Sequence, residues 1–483
     1  MSFKNQYILC KKEIVPETTY NKIKIGEYNL YISSEIKYYT TNNNKVILLG
    51  YVFHCYNNKS EKELIENIFS LNNAELLDEI DKWCGHFVLF KNNDSIKVYT
   101  DACASFKVFY AESEGEKVIA SDPKTLNKFF SFKIDKNKEK EIFYNSNYFL
   151  NDNTKVGHHT RYKNMYQLVS NYSLDLNSFE STRIFPREKR KEETQKETSK
   201  QLIPIFRNIL QQIEKRFVIY ASITAGYDSR LLMAATKILS EQVQYYTFTL
   251  ANKSNDFIDY TLPKKMTSEL GLKYKLVNID ELNEGVKEEI FNTYDLPKIS
   301  PFQQYKDIFP NTEKENILLV GFVSEVAKNY LERVPVKNGK DVVRAVHSPD
   351  NKYLENYYQK WLNKNKKTID QFGYEVLDFI HWEQDITNFA GQNTYYAHHY
   401  VNLFSIFNSR EIIRIMLAVK PEKRDGKDTQ FFRYLIQKMW PELLNYPFNP
   451  TIKERIIILM KKIRIYPLYK YLQVKFYKNG KII

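Results

Sequence analysis

A chain of 483 residues, 43% hydrophobic and 15% aromatic, is long enough for two or three domains with sizeable cores. It holds no run of about 18 apolar residues to span a bilayer and opens with no signal-peptide pattern, and Cys10, Cys55, Cys84 and Cys103 stand at no metal-ligand spacing. The cysteines read as buried small hydrophobes of a reducing, cytoplasmic compartment, and the formal charge of +13, with no RNA- or DNA-binding module beside it, favours an anionic small partner over nucleic acid.

Residues 1–185 carry short aromatic and β-branched runs broken by Asn-rich turns, which predict an antiparallel layered domain. Its most telling stretch is Trp83-Cys84-Gly85-His86-Phe87-Val88-Leu89-Phe90, followed by Val98 to Ala102, Phe106 to Tyr110 and Val118 to Asp122. The run Arg187-Glu188-Lys189-Arg190-Lys191-Glu192-Glu193 then mixes signs ahead of Leu202, Ile205, Ile209 and Ile213 at helical spacing. It reads as the solvated start of a helix entering a second domain, so the boundaries fall at 1–185, 186–450 and a tail of 451–483.

From Phe217 to Leu239 the chain reads FVIYASITAGYDSRLLMAATKIL: an apolar β-type run, the turn Thr224-Ala225-Gly226-Tyr227-Asp228-Ser229-Arg230, then apolar residues at helical spacing. A strand feeding a small-residue turn and a helix N-terminus aims backbone N–H groups at one spot, as a polyphosphate requires. Ala225 and Gly226 leave room for close backbone approach, Thr224 and Ser229 offer hydroxyls, Asp228 is a hard carboxylate able to hold Mg²⁺, and Arg230 adds a positive fork. No Gly-Lys-Ser/Thr follows, so this is not a P-loop. The plainer alternative is an ordinary strand-to-helix turn whose Asp favours the helix dipole by under ~1 kcal/mol. Further on, Tyr245 to Leu250, Lys273 to Ile279 and Ile317 to Gly321 read as strands alternating with helical patterns, which predicts a parallel sheet covered on both faces with its ligand at the carboxyl ends.

Thr224 to Ser229 is similar to the Ser-Gly-Gly-x-Asp-Ser signature of the N-type ATP pyrophosphatases, and with Arg230 it most resembles the asparagine synthetase family, with Thr224 and Ala225 as small-for-small departures. The resemblance implies an α/β synthetase domain of the adenine-nucleotide alpha-hydrolase type that uses ATP and Mg²⁺. Thr247, Phe248 and Thr249 would then lie on the adenine side, ahead of the loop Ser254 to Asp259. The family's Gly-rich acidic loop is matched by Gly321-Phe322-Val323-Ser324-Glu325-Val326, with Ser324 where an Asp holds the second side of the metal. Glu325 has three roles open to it: metal ligand, activator of an acceptor, or structural partner of a cation such as Lys328. Ser405 to Arg410 sits where the family has Arg-Val-Pro-Phe-Leu-Asp, and Lys427, with Arg433 behind it, matches the Lys that stabilises charge on the adenylate.

The N-terminal succession resembles the class II glutamine amidotransferase domain, an α+β Ntn-hydrolase-like layered fold that asparagine synthetases carry upstream. That family's nucleophile is an N-terminal Cys, whereas this chain begins Met1-Ser2-Phe3 and Cys10 is followed by Lys11-Lys12-Glu13, so no glutaminase activity is expected. The resemblance therefore implies an AMP-forming amide ligase that adenylates a small-molecule or peptide carboxylate and passes it to ammonia or a substrate amine. A sugar acid of surface polysaccharide is one such substrate and peptide ring closure another, while a catalytically silent nucleotide-binding or scaffold member is the rival. The tail from Lys453 to Lys481 is basic and amphipathic, and reads either as a packing helix with a basic outer face or as a contact for an anionic membrane surface or a partner. His398-His399 and His381-x-Glu383 support no metal site.

Overall fold

Alternation along the first strand already demands layers on both sides. In β1 (Tyr7–Cys10) Tyr7 and Leu9 enter one core, Ile8 and Cys10 enter another, and all four are buried. The computed structural model describes residues 3, 5–140, 157–249, 254, 256–278, 284–295, 313–328, 331, 335–346, 351–425 and 429–449, with short pieces beyond 455.

β2 (Tyr20–Ile25), β3 (Tyr28–Ser33), β8 (Phe109–Ser113), β9 (Glu116–Ala120) and β10 (Met165–Gln167) join β1 in an antiparallel sheet of order β10-β8-β9-β1-β3-β2. β4 (Tyr38–Thr40), β5 (Val46–His54), β6 (Trp83–Asn92), β7 (Ile96–Thr100), β11 (Tyr172–Asp175) and β12 (Glu180–Arg183) form a second, ordered β12-β11-β7-β6-β5-β4. Leu9, Leu30 and Ile119 of the first sheet share a core with Leu49, Val88 and Val98 of the second, so the sheets stack face to face. The outer face of the second sheet is covered by Leu64, Ile65 and Ile68 of the helix Glu61–Phe69 and by Leu76, Leu77 and Ile80 of Asn73–Ile80. The outer face of the first is covered by Leu126 of the helix Pro123–Phe129 together with Phe130 and Tyr162. The N-terminal half is thus four layers: helix, sheet, sheet, helix.

The helix Gln195–Arg216 opens the second half and buries Leu202, Ile205, Ile209 and Ile213, the positions that the spacing picks out. It starts later than the charged run suggests, because Thr194 and Glu197 form a capping box there. Residues 187–193 are instead a non-helical strap: Arg187 pairs with Asp78 and Asp81, and Arg190 donates to the carbonyls of Gly373 and Leu417.

β13 (Phe217–Ser222), β14 (Gln244–Phe248), β15 (Tyr274–Val277), β16 (Glu315–Leu319) and β17 (Asn402–Phe404) form a wholly parallel sheet of order β15-β14-β13-β16-β17. Ile219 and Ala221 enter the main core while Tyr220 enters a second cluster with Tyr246 and Leu318, which is why β13 reads as an almost continuous apolar run. The order reverses at β13, with β14 and β15 on one side and β16 and β17 on the other, so the loops leaving β13 and β16 diverge around a crevice. The patterning finds the first four of these strands; the short β17 escapes it.

The halves share one core, in which Phe53, Cys84 and Cys103 meet Phe206, Phe404 and Phe407. Polar contacts add to it: Asn408 Nδ2 donates to the Gly85 carbonyl at 2.6 Å, and Arg410 donates to the carbonyls of Thr100 at 3.0 Å and Asp101 at 3.2 Å. The stretch Ser405 to Arg410 therefore clasps the N-terminal half. Among the described residues no helix is long and apolar enough to cross a membrane.

Candidate nucleotide site

At the end of β13 the turn closes on itself through side chains. The Thr224 N–H donates to Ser229 Oγ at 3.0 Å, the two hydroxyls lie 2.9 Å apart, and the Gly226 N–H donates to Thr224 Oγ1 at 3.2 Å. Gly226 caps the helix Tyr227–Ala235 with no side-chain bond of its own. The Ala225 N–H donates to Asp259 Oδ1 at 2.8 Å, so a carboxylate from the first turn of the helix Ile258–Glu269 occupies a donor that a phosphate oxygen could use. Beside the turn, Thr247 Oγ1 donates to the Ile223 carbonyl at 2.6 Å, which ties the end of β14 to β13; Phe248 and Thr249 follow, half-buried.

The opposite wall leaves β16. A Cβ at Gly321 would stand 2.7 Å from the Asp228 carbonyl carbon and 2.9 Å from Ser229 N, so only glycine permits this approach of loop to helix. Val323 has φ +72°, a left-handed conformation that costs a β-branched residue about 1–3 kcal/mol. Beyond it, Ser324 Oγ lies 2.7 Å from Asp228 Oδ1 and 2.8 Å from the Gly321 carbonyl, and Lys328 Nζ lies 2.5 Å from Asp228 Oδ2. Glu325 sits between them with its Oε2 enclosed and without a hydrogen-bond partner. Burial, reinforced by the Asp228 charge and opposed by Lys328 and His381, pushes its carboxyl up to about 7.

These residues do not fit a magnesium site. Both Asp228 oxygens are engaged, one by a hydroxyl and one by an ammonium; Ser324 supplies no second carboxylate, and the lysine that could have paired with Glu325 pairs with Asp228 instead. Among the described residues no group of three or more His, Cys, Asp or Glu side chains could hold a metal ion. The cation beside Asp228 in this structure is Lys328.

Arg230 is engaged by the 446–448 segment. Its guanidinium is buried, donates to the carbonyls of Tyr446 at 2.8 Å, Pro447 at 3.0 Å and Ala225 at 3.3 Å, and lies 4.0 Å over the Phe448 ring. Burial, with Arg433 nearby, lowers it to about 10. Tyr227 stacks on Phe448 at 4.2 Å, and Arg433 covers that stack, donating to the Tyr227 hydroxyl at 2.9 Å. Both arginines pin the 446–448 segment against the turn, a role that the sequence pattern does not announce. Lys427 lies outside the described residues.

In the N-terminal half Cys10 is mid-sheet in β1, and burial pushes its thiol up to about 12. The other three cysteines are also buried and free. Asp101 is fully enclosed and accepts from the Ser105 N–H at 2.8 Å and the Phe106 N–H at 3.1 Å, which makes it a structural knot of the loop after β7.

No family model matches the chain, and no curated protein sequence matches it. Among solved structures it is similar to the glutamine phosphoribosylpyrophosphate amidotransferase of B. subtilis complexed with ADP and GMP, at 8% identity and a TM-score of 0.22 over 68% of this chain and 71% of that one. It is also similar to a structure described as the allosteric regulatory enzyme of purine biosynthesis, at 9% identity and a TM-score of 0.23 over 65% of this chain and 68% of that one.

Proposed function

We propose that the Thr224–Arg230 turn takes the phosphates of ATP, with the base toward Thr247, Phe248 and Thr249, in an AMP-forming amide ligase of the asparagine synthetase type that lacks glutaminase activity. What carries this reading is position: the turn and the Gly321–Lys328 loop meet at the carboxyl ends of β13 and β16, where the strand order reverses and open parallel sheets take their ligands. An acceptor carboxylate oxygen would attack the α-phosphorus, pyrophosphate would leave, and ammonia or a substrate amine would displace AMP from the acyl carbon. Lys328 is the cation beside the developing charge, and Glu325, poised near 7, suits the proton of the incoming amine. Lys427 and Arg433 stay candidates for the adenylate side, and a sugar acid or a peptide carboxylate is favoured over free aspartate.

A second reading is favoured by one observation: the Ala225 N–H is already held by Asp259 and the Asp228 charge by Lys328. A site so satisfied suits a nucleotide-binding or scaffold protein without turnover. Purified protein with ATP, ammonium and a panel of acids decides between them. Pyrophosphate and AMP release that depends on one acid and is lost in Asp228→Asn supports the ligase. Absence of release with every acid, together with ATP-dependent thermal stabilisation, supports the binding protein; absence of both release and stabilisation rejects the nucleotide site.

A further inference from the structure

We propose that a second cavity, sharing no lining residue with the nucleotide turn, is a binding site for a small neutral oligosaccharide. The cavity measures about 810 Å³ and lies between β8, β10, β11 and β12 of the sandwich and the helix Lys352–Gln371 of the other half. Ligand sites of this size favour such junctions between packed units.

Its chemistry is set by two buried amides. Gln167, the last residue of β10, is 1% exposed, lines the cavity, and has a partner for neither Oε1 nor Nε2. Gln384 is equally buried; its Oε1 accepts from the Tyr357 hydroxyl at 2.7 Å, which leaves Nε2 enclosed and unpartnered. Buried amides left unmet are costly and rare, and three unmet atoms in the wall of one cavity suit a ligand that both donates and accepts. Adjacent sugar hydroxyls do both. Around the amides stand the rings of Tyr110, Tyr166, Tyr172, Tyr357 and Trp361, whose electron-rich faces suit the polarised C–H face of a pyranose.

The wall is held in place before any ligand arrives. Arg183 grips Glu383 through both guanidinium nitrogens at 2.6 and 2.8 Å, Trp361 Nε1 donates to Glu383 Oε2 at 3.2 Å, and the Tyr172 hydroxyl donates to Asn365 Oδ1 at 2.8 Å. Such preorganisation lowers the ordering cost of binding. At the rim, Lys360 and Lys364 are matched by Glu112 and Glu114, so the mouth selects no single sign of charge.

The test titrates the full chain with glucose-, galactose- and N-acetylhexosamine-based di- and trisaccharides, by calorimetry and by fluorescence of Trp361. Saturable binding of one class is expected, weakened at least tenfold in Gln167→Leu, while the melting temperature of that ligand-free variant does not fall, since it removes an amide with no bond to lose. Trp361→Phe is expected to abolish the fluorescence change. No saturable binding by any saccharide, or binding unaltered in Gln167→Leu, overturns the proposal. So does a lowered melting temperature of Gln167→Leu, or saturable binding of short peptides in place of sugars.

Discussion

Lys328 holds its ammonium 2.5 Å from Asp228 Oδ2, linking the loop that leaves β16 to the helix that follows β13. The carboxylate that the sequence marks for a divalent cation is neutralised from within the chain, and the approach depends on Gly321 and on the left-handed turn at Val323.

Removing that ammonium should free the Asp228 carboxylate for a divalent cation. Lys328→Met leaves Asp228 without its ion partner and is expected to cost about 1–3 kcal/mol, below the value for a wholly enclosed pair because the Asp228 side chain is 23% exposed. Millimolar Mg²⁺ should then raise the melting temperature of the variant and leave the wild type unmoved. Equal stabilisation of both proteins would show that the wild-type site admits the metal.

Glu325 gives the fold a pH dependence of defined sign. Its carboxyl stands near 7 in the folded chain against an ordinary 4.5, so across that window the folded chain keeps a proton that the unfolded chain has released. Stability from this group therefore falls as pH rises from 4.5 and levels off above 7. Glu325→Gln should be more stable than wild type by about 1–2 kcal/mol at pH 8 and indistinguishable at pH 4. Urea midpoints at the two values read this directly, and curves that stay parallel would count against it.

The Arg183–Glu383 pair crosses between the halves, with Glu383 wholly buried. Either Arg183→Met or Glu383→Leu alone strands a buried charge and is expected to cost about 3–5 kcal/mol. The double variant should lose much less than the sum. Additive losses in a double-mutant cycle would show that the two side chains act separately.

Four buried thiols make a plain chemical prediction. With Cys10 and Cys55 each pushed up to about 12, the native protein should react with a thiol reagent at pH 8 only as fast as it opens, and all four should titrate in denaturant. One fast-reacting thiol in the native state would point to an activated cysteine and reopen the question of a nucleophile.

Legibility followed how local the cause was. The strand–turn–helix at Phe217 to Ala235 was readable because small residues, an apolar run and helical spacing lie within one short stretch, and Leu202 to Ile213 were readable by period alone. The charged run at 187–193 misled, since a mixed-sign segment looks the same on a helix as in a strap whose partners, Asp78, Asp81, Gly373 and Leu417, lie far along the chain. The partners of Arg230 were illegible for the same reason: the Tyr446 and Pro447 carbonyls it bonds come from a part of the chain far along in sequence.

By itself the sequence determined the two kinds of sheet, the alternating antiparallel half and the continuous apolar strands of the parallel half, because burial on one or two faces is written in side-chain period. It also marked the strand–turn–helix that begins with β13. The tertiary structure alone decided the charges at that turn. Whether Asp228 meets a carboxylate-binding cation from its own chain, and whether the Gln167 amide meets a partner, depends on elements brought together from distant parts of the chain, and electrostatic contacts at a few ångströms leave no periodic trace in sequence.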